Sequence, residues 1–131
     1  MLIGPFFFYT TVNGENYLQM LKSKCYPEAE RNRKISRYYY QQDWALPHRT
    51  NDVKESIRRR FDDRIIGLGL ESEDGSEIAW PPYSPDLNPC DFFLWGHMKD
   101  YVFKKETKTL NDLKKSILKK ELVSAELWKQ L

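Results

Sequence analysis

Two aspartates, Asp43 and Asp91, are the residues of this chain best placed by type and surroundings to do chemistry. Asp43 closes the run Tyr38-Tyr39-Tyr40-Gln41-Gln42, which reads as a short strand. In open α/β sheets, ligands and catalytic groups collect at the C-terminal ends of strands. Asp91 follows a stretch stiffened by Pro81, Pro82, Pro85 and Pro89. Each proline fixes φ, lacks an amide donor and keeps its predecessor out of the helical region. Asn88 can cap a helix there, Pro89 suits its first position and Asp91 falls at its third. The residues alone leave two readings of Asp91. It can be a capping-box carboxylate that satisfies helix-end amides. It can also be a metal-binding or catalytic acid that joins Asp43. Hard Mg²⁺ prefers oxygen ligands, and phosphoryl transfer with two metal ions needs carboxylates that converge from different elements. The intervening residues 44–90 are enough for helix, strand and loop to bring the two together.

The elements that would position these acids follow from spacing. Pro5 to Val12 is a continuous aromatic and β-branched run, expected as a buried strand. Asn13 caps an expected helix from about Glu15 to Cys25, with Tyr17, Leu18, Leu21 and Cys25 on one face and Pro27 as its stop. Residues 28–37 are strongly charged and read as an exposed connection or a frayed helix. A helix from about Thr50 to Phe61 presents Val53, Ile57 and Phe61 as a buried stripe, and Arg58-Arg59-Arg60 near its end suits the helix dipole. Residues 64–68 read as a strand, 71–77 as an acidic loop and 78–80 as extended chain. A helix from Asn88 to about Phe103 carries His97 and Cys90 as packing residues. Thr109 and Asp112 open a last helix in capping-box spacing. Strands alternating with helices predict an α/β fold with parallel pairing.

Composition bounds the function class. At 131 residues and 15.7 kDa, with 40% hydrophobic and 15% aromatic residues, the chain is globular and of single-domain size. No apolar run approaches the roughly 20 residues of a membrane span. Two cysteines, Cys25 and Cys90, match no metal spacing and make no disulfide framework. Net charge is only +2, but it is distributed unevenly. Lys and Arg outnumber Asp and Glu by seven to four before residue 50. They trail by six to eleven over 50–100 and lead by eight to four thereafter. Basic flanks around an acidic centre suit a phosphate backbone held beside metal-binding carboxylates, and they equally suit solvated helix faces.

Two long motifs in order carry a family resemblance. Gln41-Gln42-Asp43-x-Ala45-x-Pro47-His48 precedes Trp80-Pro81-Pro82-Tyr83-Ser84-Pro85-Asp86-Leu87-Asn88-Pro89-x-Asp91-Phe92-Phe93-Leu94-Trp95-Gly96. Together they resemble the catalytic domain of mariner-type DDE transposases. Upstream, Gly4-Pro5-Phe6-Phe7-Phe8 and the stretch Thr11–Leu21 resemble that family's third strand and first helix; downstream, Thr109-Leu110 and Leu113 resemble its late helix. The likeness covers nearly the whole chain. It implies a ribonuclease-H-like α/β fold, incomplete for want of the first strands, with a mixed sheet flanked by helices.

The same resemblance makes residues 1–131 a single partial catalytic domain without the family's N-terminal helix-turn-helix region. It implies metal-dependent DNA cleavage and strand transfer, with Asp43 and Asp91 as the second and third acids of the triad and as ligands of a two-metal Mg²⁺ or Mn²⁺ site. His48, Arg49, Lys99, Lys104 and Lys105 are the candidate nucleic-acid contacts. Asp86 is expected to make a local side-chain-to-backbone turn rather than to bind metal. Transposon ends and target DNA are the implied partners, a homodimer the implied assembly and the nucleus the implied location, with no membrane association. Three departures qualify the match. The family's first acid lies upstream of anything matched here, so these residues alone are expected to be inactive. Trp44 stands where the family has a small residue and could crowd the metal site. The interval between the two acids is long, the excess falling in the acidic loop. A non-catalytic nucleic-acid-binding or assembly module derived from such an enzyme is the alternative.

Overall fold

The computed structural model describes residues 3–31, 37–43, 45–67, 85–88, 94–105 and 107–127, with the backbone alone at 85 and 120–127. The chain divides into two compact units, one of Phe6–Tyr83 and one of Met1–Pro5 with Ser84–Leu131. In the first, Asn13 and Asn16 make a reciprocal cap. The Asn13 side chain accepts from the Asn16 amide, and the Asn16 side chain accepts from the Asn13 amide, both at 2.9 Å. Helix α1 (Gly14–Met20) starts there. The Asn16 side-chain amide also donates to the Thr11 carbonyl at 2.7 Å. The run 5–12 forms no strand, contrary to its composition. The Thr11 carbonyl is engaged by the cap, Tyr9 and Val12 face solvent, and no second strand pairs with the run among the described residues. Strand propensity records fit to a partner, and here no partner is offered.

Pro27 does not end the helical segment. Leu21–Cys25 is a π-helical stretch, and α2 (Tyr26–Arg31) follows without a break. The Tyr26 amide donates to the Leu21 carbonyl five residues back, so the backbone is already widened where Pro27 enters. Pro27 thereby occupies the first turn of α2, where a missing amide is tolerated. The charged residues 28–31 belong to this helix, and residues 32–36 lie outside the described residues.

Strand β1 (Tyr40–Gln41) pairs in parallel with β2 (Ile65–Ile66), in the register Tyr40 to Ile65 and Gln41 to Ile66. The Tyr40 amide donates to the Arg64 carbonyl at 2.9 Å and the Gln42 amide to the Ile66 carbonyl at 3.2 Å. Between the strands run a 3₁₀ turn (Leu46–Arg49) and α3 (Asn51–Phe61). The stripe Val53, Ile57 and Phe61 is buried as its spacing predicts. It forms the core with Leu21, Tyr26 and Ile65, and Tyr17, Leu18, Met20, Cys25 and Tyr40 pack against that cluster. Arg59 pairs with Glu55 one turn back on α3, and Arg60 pairs with Glu30 of α2 while lying over the Tyr26 ring. Arg60 of the triplet thus ties α3 to α2.

In the second unit, Pro85–Leu87 forms a 3₁₀ turn with Asp86 exposed. Helix α4 (Trp95–Phe103) buries Val102 and packs against α5 (Leu110–Leu127). Asn88 is not yet helical, and residues 89–93, which would hold the expected helix start, lie outside the described residues, as do 68–84. At the start of α5 the Thr109 hydroxyl accepts from the Asp112 amide at 3.1 Å and donates to the Asp112 carboxylate at 2.7 Å. This is half of the expected capping box, closed hydroxyl to carboxylate. No helix of the described residues is long and apolar enough to cross a membrane.

Two stability outcomes follow. Ile57 is fully buried in the six-residue core, so Ile57→Ala is expected to lower unfolding free energy by about 2–5 kcal/mol in urea titration. Asp62, which ends α3, holds φ at 55°, a backbone region that disfavours a side chain. Asp62→Gly is expected to raise stability by about 1 kcal/mol in the same measurement.

Candidate functional site

Asp43 emerges just beyond β1, at the C-terminal end of a strand in a parallel pair. Its Oδ1 accepts twice: from the Ala45 amide at 3.0 Å and from the His48 ring Nδ1 at 2.7 Å. The first bond is an Asx turn, which bends the chain two residues past the aspartate. Pro47 then helps close the 3₁₀ turn that returns His48 to the carboxylate. Because a carboxylate oxygen accepts, Nδ1 is the protonated ring nitrogen in this pair. Neither Oδ2 of Asp43 nor Nε2 of His48 is given a partner among the described residues. Half of the Asp43 side-chain surface stays open (49%) against 20% for His48.

A second layer fixes the histidine. The Tyr17 ring from α1 lies 4.4 Å from the His48 ring, centroid to centroid. The Tyr17 hydroxyl is 2.8 Å from the Tyr40 hydroxyl and donates to Gln42 Oε1 at 3.4 Å. Gln42 Nε2 in turn donates to the His48 carbonyl at 3.4 Å. Donation from Tyr40 to Tyr17 and from Tyr17 to Gln42 satisfies the whole chain with protons on both phenols. Gln42 is the buried polar side chain among the described residues, and this network gives both ends of its amide a partner. Gly14 of α1 lies so close to the Thr50 side chain that a Cβ there would collide with it, so glycine is what lets α1 approach the turn that carries His48.

Burial pushes the Tyr17 hydroxyl up to about 12, partly offset by its hydrogen bond with Tyr40. Burial also raises Tyr40 well above the ordinary tyrosine value, with further upward pressure from Tyr17. Cys25 nearby is half-buried, free and raised by the same desolvation, which suits a packing thiol better than a nucleophile.

No family model, curated protein or solved structure matches the chain. The site therefore stands on its own residues. Asp43 and His48 are brought together. Asp91, with its neighbours 89–93, and Trp44 lie outside the described residues, as does Cys90. Arg49 ends the 3₁₀ turn and is half-buried. In the other unit, Lys99 is exposed on α4, Lys104 is exposed just past it, and Lys105 Nζ sits 4.7 Å from the centre of the Tyr101 ring. His97 is half-buried on α4. Among the described residues no group of three or more His, Cys, Asp or Glu side chains is arranged to hold a metal ion. Asp43 by itself offers one oxygen, unengaged among the described residues, of the type a hard cation takes. Sequence reasoning missed Tyr17 and Gln42 as site residues. Tyr17 looked like one more core-face residue, and its hydroxyl is what distinguishes it.

Alkaline titration checks the network. Tyr17 ionises at about 12 in the fold against 10.0 ordinarily, so the native state holds more protons between those values. Stability should be fully present below pH 10 and fall as pH rises towards 12, with cooperative loss of folded circular dichroism in that window. Tyr17→Phe should flatten the fall, because it removes the group that ionises on unfolding.

Proposed function

We propose that these residues form part of the catalytic domain of a mariner-type DDE transposase, with a ribonuclease-H-like ancestry and a chemistry of metal-dependent DNA cleavage and strand transfer. The observation that supports this is the setting of Asp43: a half-open carboxylate just past a strand of a parallel pair, inside the motif Gln41-Gln42-Asp43-x-Ala45-x-Pro47-His48. Asp43 and Asp91 are the acids that would hold Mg²⁺ or Mn²⁺, whose bound charge would stabilise the oxygens of a phosphodiester under attack. Arg49, Lys99, Lys104 and Lys105 are the cations that would take phosphates, by charge rather than by base identity. Transposon ends and target DNA are the matching partners, copies of the chain the matching assembly and the nucleus the matching place. Two acids leave the cation geometry loose, so the 131 residues alone are expected not to cut DNA.

One observation favours a second reading, a nucleic-acid-binding or assembly module without catalysis. One Asp43 oxygen is already committed to the local turn and to His48.

Iron-mediated cleavage separates the two. Fe²⁺ in place of Mg²⁺, with ascorbate and peroxide, is expected to cut the polypeptide near both residue 43 and residue 91, and Asp43→Asn or Asp91→Asn is expected to abolish both cuts. Cutting at neither place, or at one place indifferent to the other aspartate, would leave the non-catalytic module. Supercoiled plasmid incubated with the chain and Mn²⁺ is expected to stay intact, and nicking that depends on Asp91 would refute the expected inactivity.

A further inference from the structure

We infer that His48 is a positioning residue for the Asp43 carboxylate. It holds that group so that a single oxygen, Oδ2, is presented to a divalent cation. The inference rests on the metal-binding reading of Asp43 and adds to it a reason for the residues behind the acid. A free aspartate rotates about two side-chain bonds and offers a cation either oxygen or both. Here Oδ1 is taken twice, by the Ala45 amide and by the protonated Nδ1 of His48, so rotation that would exchange the two oxygens costs both bonds. The open oxygen is therefore Oδ2, and monodentate ligation is the mode the turn prepares.

His48 can do this because it is itself held. Its ring lies against Tyr17, and its carbonyl receives the Gln42 side-chain amide. Tyr17 is fixed in turn through its hydroxyl to Tyr40 and Gln42, which sit on or next to β1. A chain of contacts thus runs from the strand through two phenols and an amide to the imidazole, and from the imidazole back to the acid just past that strand. A side chain that only filled space would need the ring and no donor. His48 gives Nδ1 to Asp43 and keeps 20% of its side-chain surface exposed.

Two substitutions split the ring from the donor. His48→Phe keeps an aromatic ring against Tyr17 and removes the donor. His48→Asn removes the ring and keeps a side-chain N–H of similar reach. Each protein, uniformly ¹⁵N-labelled, is titrated with Mn²⁺, and paramagnetic broadening of the backbone amide signals around Asp43 is followed. Wild type should broaden there first. His48→Phe should need about tenfold more Mn²⁺ or beyond for the same broadening, the usual cost of losing an outer partner of a metal-binding group. His48→Asn should stay within about threefold of wild type on the same scale. Equal titration of wild type and His48→Phe would overturn the positioning role and leave the metal reading intact. So would a loss in His48→Asn as large as the tenfold expected for the Phe variant, and this second comparison still decides if the Phe variant unfolds. Absence of selective broadening in wild type would remove the metal reading and the inference with it.

Discussion

Burial of the α3 stripe is the constraint on which the first unit depends. Val53, Ile57 and Phe61 recur every four residues and so share one side of an eleven-residue helix. That side is satisfied only if Leu21, Tyr26 and Ile65 close over it. Three consequences follow from this single requirement. The α1–α2 segment must lie across α3, and β2 must come back under its end. Because β2 comes back there, β1 acquires a parallel neighbour through a helical crossover. The place where Asp43 leaves the sheet is thus decided by apolar residues ten or more positions further along the chain.

Polar groups then settle what apolar packing leaves open. A core of aliphatic and aromatic residues fixes which surfaces meet but tolerates small shifts between them. The Tyr40–Tyr17–Gln42–His48 contacts do not, since each has a narrow range of distance and direction. In a partly water-free setting a misplaced phenol or amide would lose its partner and gain nothing in return. The network accordingly gives the turn 43–48 a precision that its short 3₁₀ backbone would not have alone.

Much of this was legible in the sequence, for physical reasons that differ from element to element. The α3 stripe was visible because a helix repeats its faces at a spacing that residue types can mark. The parallel pairing of the Tyr40 and Ile65 segments was visible because a helix separates two short β-branched or aromatic runs. The Asn13 cap was visible from one side chain before a periodic segment. By contrast, the run 5–12 has the composition of a strand and none of its bonds, since sequence composition says nothing of whether a neighbour is present. The continuation past Pro27 was hidden because a π-helical turn leaves no residue-type mark. At the site, Asp43 was singled out from its place after a strand, whereas its contact with His48 was not read, because it needs an Asx turn and a proline to bend the chain back within five residues. What could not be read was the second layer, because Tyr17 belongs to another helix and only the folded core brings it to His48.

The π-helical stretch Leu21–Cys25 carries a consequence of its own. One wider turn amounts to one extra residue inserted into an otherwise α-helical rod, and it offsets everything downstream by about 100° around the axis. Tyr26 and Ala29 are buried because of that offset, and Glu30 meets Arg60 because of it. Removing one of the residues Lys22–Lys24 from the stretch would restore the α-helical phase and rotate these side chains away from the core, although every amino acid of the core cluster would still be encoded. The inward aim of α2 is thus a matter of phase, held by a residue whose own side chain need not touch anything.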